Sequence, residues 1–92
     1  KLRRKVLEVL HLTKETSRKE GNLHRAAECL MNIRQVAPES ESAVIELIEL
    51  LVEQGNRAEA LQCYRQAIQH LLDEYGIEPG EQLKACAERL NL

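Results

Sequence analysis

The chain has no tryptophan, no phenylalanine and only two tyrosines, Tyr64 and Tyr75. Its core must therefore be built from aliphatic and small side chains. β-branched residues are sparse as well, while Ala, Leu, Glu, Gln, Lys and Arg dominate, a bias that favours helix over strand. No apolar run approaches the length needed to cross a bilayer, and nothing resembles a signal peptide, so no membrane partner is expected. The three cysteines, Cys29, Cys63 and Cys86, form no CxxC pair and fall inside expected helices. They read as small buried residues of a cytoplasmic, reducing compartment rather than as metal ligands. A Gly-rich phosphate loop is lacking. Ser17, Ser40 and Ser42 have no histidine at a suggestive spacing, and His11, His24 and His70 do not cluster. We therefore expect no catalytic residues, no cofactor, no metal and no small-molecule site.

What is present is a short, charged, helix-forming chain. Its 92 residues make one domain at most, able to bury about 60–65% of its unfolded surface. It begins at Lys1 without methionine, as expected of a piece of a longer protein. The net charge of −2 is unevenly spread. Residues 1–25 hold eight Lys/Arg against Glu8, Glu15 and Glu20; the remainder holds five basic against twelve acidic residues. The basic run Lys1–Lys5 is the kind that touches DNA phosphates. So acidic a body argues against a nucleic-acid binder, and the run reads as a solvated helix face, with any DNA contact left to a domain outside this sequence.

Hydrophobic spacing places five helices. The first runs from Leu2 to Glu20, with Leu2, Val6, Val9, Leu10 and Thr13 at helical spacing and Thr13, Thr16, Ser17 and Glu20 facing inward in its second half. Gly21 stops it and Asn22 caps the next helix. That helix carries one stripe of Leu23, Ala26, Ala27, Leu30, Ile33 and Ala37 and ends at Pro38. Ser40 is the next N-cap. The third helix, Glu41 to Gln54, is apolar over most of its circumference, leaving only Glu46, Glu49 and Glu53 as a polar edge. Such a helix must be covered on more than one side. Gly55 and Asn56 repeat the stop and cap, with Glu59 placed for a capping-box exchange. The fourth helix should bury Ala60, Leu61, Tyr64, Ala67, Ile68, Leu71, Leu72 and Tyr75. Gly76 ends it, Pro79 precedes the next turn, and the last helix presents Leu83, Cys86, Ala87 and Leu90.

Shifting the chain by 34 residues lays GNLHRAAECL (21–30) on GNRAEALQCY (55–64). Gly21 meets Gly55, Asn22 meets Asn56, Ala26 meets Ala60, and Leu30 meets Tyr64. Each unit is a helical hairpin that cannot bury its own apolar face, so hairpins must stack. The period and pattern resemble the tetratricopeptide repeat, with one repeat at 7–40, a second at 41–74 and a capping helix at 80–91. The resemblance implies an all-α, right-handed stack of two helical hairpins and a capping helix. Its inner face would place His11 and Glu15 with the acidic edge Glu46, Glu49 and Glu53 as a candidate interaction groove. The pattern departs from the repeat at Lys14 and Ile48, where a small residue is usual, and at Leu72, which lacks the closing proline.

From Gly55 onward, Glu59, Ala60, Leu61, Tyr64, Glu74, Gly76, Ile77, Pro79, Gly80 and Leu83 resemble the end of the bacterial transcriptional activator domain, a tetratricopeptide-like module of SARP-type regulators. Tyr75 replaces the more usual leucine. The resemblance implies a non-catalytic interaction and regulatory module. Its expected partner is a DNA-binding or signalling domain of the same chain, or a second protomer as a homodimer. The competing expectation is a generic adaptor that binds a peptide or helix in its concave face.

Overall fold

Gly21 and Gly55 decide where the chain folds back on itself. Both hold positive φ, +78° and +82°, a conformation open to glycine at little cost. At each, the next residue is an asparagine whose N–H donates back across the turn, Asn22 to the Ser17 carbonyl and Asn56 to the Leu51 carbonyl, both at 2.8 Å. This is the Schellman closure of a helix end. In the computed structural model, which describes residues 2–92, these turns join two helical hairpins. Helix α1 (Leu2–Lys19) pairs with α2 (Leu23–Val36), and α3 (Glu41–Glu53) pairs with α4 (Arg57–His70); α5 (Glu81–Arg89) is the last helix. There is no strand among the described residues. Lys1, first of the basic run, lies outside them.

The caps obey the sequence in part. The Asn22 side chain accepts from the Arg25 N–H at 3.1 Å, and Ser40 Oγ accepts from the Ala43 N–H at 3.4 Å. Asn56 occupies the N-cap position of α4 but accepts no bond through its side chain, and the exchange with Glu59 is not formed. The Asn56 backbone N–H closes α3 as that of Asn22 closes α1.

The core lies around α3. Ala43, Val44, Leu47, Ile48, Leu50 and Leu51 are all buried, because α2, α4 and α5 each pack on this helix. The stripe on α2 is buried as its spacing predicts, with Leu23 at its edge. Ala26 and Ala60 are completely buried at their hairpin crossings. Leu83, Cys86 and Ala87 of α5 close the open end of the second hairpin. The molecule measures 34 × 31 × 18 Å, about two helix diameters thick. Nothing that thin encloses a deep cleft.

Two further expectations fail. Helix α4 does not run on to Tyr75 in α geometry. Residues Leu71–Tyr75 form a π turn, closed at Gly76 with φ 62°. The wider turn inserts an extra residue and rotates the side chains beyond it. Leu71 stays buried, while Leu72 and Tyr75, expected inside, are exposed. On α1 the inward face consists of Leu7, Leu10, Lys14 and Ser17. Leu2, Val6 and Val9, expected inward, point to solvent, as do Thr16 and Glu20.

Gly76 is the third glycine at positive φ, and a Cβ there would meet nothing within 4 Å. Gly76→Ala therefore has only a backbone cost, about 1–2 kcal/mol. Urea titration monitored by circular dichroism should show that loss with an unchanged slope.

Candidate docking surface

Helix α1 is apolar on two faces. Its inner face meets α2. Its outer face carries Leu2, Val6, Val9 and Leu12, exposed by 79, 39, 64 and 73%. Spacings of four, three and three align them in one ridge along the helix. Shallow depressions flank this ridge, one lined by Leu7, Glu8, His11 and Glu15 and another by Thr13, Thr16, Glu20 and Arg25. Solvent-facing apolar residues are ordinary singly; here four of them are aligned over three turns of one helix. The rim is basic. Apart from the inward Lys14, helix α1 holds five Lys/Arg against Glu8 and Glu15. Arg3 is engaged by Glu39 at the α2–α3 turn, and Arg4 lies 3.9 Å from Glu8.

Ion pairs join the odd-numbered helices in series. Lys14 reaches from α1 to Glu46 of α3, with Nζ 2.9 and 3.1 Å from the two carboxylate oxygens, and also lies 3.2 Å from Glu15. Its side chain is 5% exposed, whereas Glu46 retains 31%. The stem fills core space while the ammonium finds its counter-charge at the edge. Arg89 of α5 donates to Glu49 of α3 at 2.6 Å. The two ends of α5 are held by hydrogen bonds between charged side chains and the main chain. Glu41 accepts from the Gly80 N–H at 3.0 Å, and Arg57 donates to the Leu90 and Asn91 carbonyls at 2.6 and 3.1 Å.

The residues proposed from sequence as a groove are thus distributed over two helices. Glu46 and Glu49 each hold a cation of a neighbouring helix. Glu15 touches Lys14. His11 and Glu53 are exposed. Of the residues expected to shape the fold, Gly21, Gly55 and Gly76 take left-handed φ. Ala26 and Ala60 lie in the core, Tyr64 is half-buried, and Pro79 precedes the N-cap of α5. Sequence reasoning missed Lys14 as a core residue. Its correspondence with Ile48 at the 34-residue offset was the available signal, since Ile48 is fully buried.

All three cysteines are free and buried. Burial pushes the Cys63 thiol above its ordinary value, with Glu59 adding to the shift and Arg34, whose guanidinium donates to Sγ at 3.3 Å, opposing it. Burial, then the nearby Glu49 carboxylate, raises Cys86 likewise. The unfolded chain therefore ionises these thiols first. Their contribution to stability is complete below pH about 8.5 and is lost as pH rises through the folded values. Wild type should lose more stability than Cys63→Ala/Cys86→Ala between pH 8 and 10.5 in parallel urea titrations. Equal losses would show that the thiols do not drive it.

Among the described residues, no helix is long and apolar enough to span a membrane, and no group of three His, Cys, Asp or Glu side chains is placed to hold a metal ion. The family model of the bacterial transcriptional activator domain matches residues 1–91. The chain belongs to that family. It is a regulatory domain of the kind found in transcriptional activators, and the five-helix, all-α fold of its described residues is compatible with tetratricopeptide-like stacking. No curated protein and no solved structure matches it.

Proposed function

We propose that this domain works without catalysis, as a protein-interaction module that docks onto a DNA-binding or signalling domain of its own regulator. The observation carrying this reading is the outer ridge of α1, Leu2, Val6, Val9 and Leu12, left uncovered over three turns of one helix. A solvated ridge of this length is a standing cost that a partner removes. The adaptor reading, with a peptide lying along His11, Glu15, Glu46, Glu49 and Glu53, has less support. Glu46 and Glu49 already hold Lys14 and Arg89.

The test is a full-length regulator carrying Val9→Asp and Leu12→Asp. Neither side chain packs in this domain's own core, so helical content should stay at the wild-type value while control of the target promoter is lost. Undiminished control in a folded double variant would sink the docking reading.

A further inference from the structure

Helices α2 and α4 both pack on α3, and a furrow runs between them. It consists of two depressions that share Met31, Arg34 and Gln66 and are therefore continuous. The buried Leu47 and Leu51 of α3 give the first an apolar floor. Ala67 lines the second, which ends at His70. From Glu59 to His70 the furrow follows α4 for about 16 Å. It is separate from the surfaces described above. None of the four ridge residues of α1 lines it, and none of the five residues expected from sequence to form a groove.

The walls hold unused recognition groups. Arg34 is half-buried and takes part in none of the ion pairs among the described residues. Its guanidinium donates to Cys63 Sγ, a weak acceptor. Glu59 lines the first depression. Among the described residues that line the second, His70 apart, Arg34 is the only one with a formal charge. Gln35, Gln62 and Gln66 are exposed along the walls, each with a carboxamide that can both donate and accept. At the far end, His70 Nε2 is buried with no hydrogen-bond partner.

We propose that this furrow binds an extended segment of a separate partner protein, with an acidic side chain paired to Arg34 and an apolar one seated against Met31 and Ala67. Arg34 sets the charge, because a guanidinium matches a carboxylate with two parallel hydrogen bonds. Glu59 sets the direction. It repels a second carboxylate at its own end, so the acidic residue lies on the His70 side of Arg34. The glutamines set the conformation. A partner helix keeps its main-chain groups bonded internally, whereas an extended segment presents N–H and C=O groups to the walls. About five extended residues span the length. A small molecule fits less well, since a furrow on a body 18 Å thick cannot cover most of a ligand's surface. The furrow shares no residue with the α1 ridge and stays available to a second polypeptide when that ridge is docked.

The test selects a random peptide library, displayed on phage, against the full-length regulator. Enriched peptides are then synthesised with a fluorophore and titrated by anisotropy. They should carry an acidic residue beside apolar ones. Arg34→Gln should weaken their binding by about tenfold or more, as should replacing the peptide's acidic residue with the corresponding amide. Arg34→Lys should restore part of the affinity, and Glu59→Gln should raise it above wild type. A photo-crosslinking residue at position 66 should capture the peptide. The amide peptide and the crosslink use unaltered Arg34, so they decide the matter even if Arg34→Gln folds poorly. Failure to enrich any peptide overturns the proposal, as does enrichment of peptides without an acidic residue or equal binding by Arg34→Gln. Peptides lost instead from Val9→Asp/Leu12→Asp belong to the α1 ridge and overturn it too. Promoter control in that double variant is a separate readout, so the docking reading stands or falls independently.

Discussion

Replacing Ile48 with alanine should destabilise this domain by about 2–5 kcal/mol. Ile48 is 0% exposed and sits on α3, which has neighbours on three sides. Helices held from several directions cannot collapse into a void, so the loss belongs toward the upper end of that range. Small domains have total stabilities of about 5–15 kcal/mol, so the variant should unfold near ambient temperature or at low urea. The comparison is Ile77→Ala, which removes similar surface from a side chain that is 47% exposed and should stay within about 0.5 kcal/mol of wild type. Far-UV circular dichroism in urea reads both. Equal midpoints for the two variants would mean that α3 is not the centre of the core.

The corresponding place in the first hairpin is filled in a different way, and Lys14→Ala should cost about 1–3 kcal/mol. Two contributions add, the loss of packing along the buried stem and the stranding of the Glu46 carboxylate. Removing one member of a fully buried pair costs about 3–5 kcal/mol. Glu46 keeps 31% of its side chain accessible, so water takes up part of the lost interaction and the expected figure is lower. Lys14→Met separates the contributions. It keeps the volume of the stem and discards the charge, and should lie within about 1 kcal/mol of wild type. A methionine variant as unstable as the alanine one would assign the whole effect to the ion pair.

Most of the architecture is legible in the residues. Gly21, Gly55 and Gly76 are placed where the chain needs left-handed backbone, the α2 stripe is buried as its spacing requires, and the crowded apolar face of α3 announces a central helix. The errors have identifiable origins. Helix α1 has two apolar faces, and periodicity alone cannot say which of them meets α2. The deciding residue is Lys14, whose charge reads as exposed until Glu46, 32 positions away, is brought alongside. The π turn at Leu71–Tyr75 leaves the hydrophobic pattern of α4 unbroken while turning Leu72 and Tyr75 outward. Asn56 carries the right side chain for a cap but leaves it unbonded, although its backbone closes α3 as that of Asn22 closes α1. The candidate groove was the least legible part, because the carboxylates at 46 and 49 find cations from separate helices. Sequence spacing within α3 contains no trace of either.

Helix α5 is nine residues long, below the length of about 12–15 residues at which an isolated helix is even marginal in water. Its two ends are tied to Glu41 and Arg57, the first residues of α3 and α4. The last segment of the chain is therefore conditional on the start of each helix in the second hairpin, and it should order late in folding and be lost early. Its amide protons then report the integrity of that hairpin. Loosening either α3 or α4 at its N-terminus should release hydrogen exchange throughout α5 at once, as a single cooperative opening.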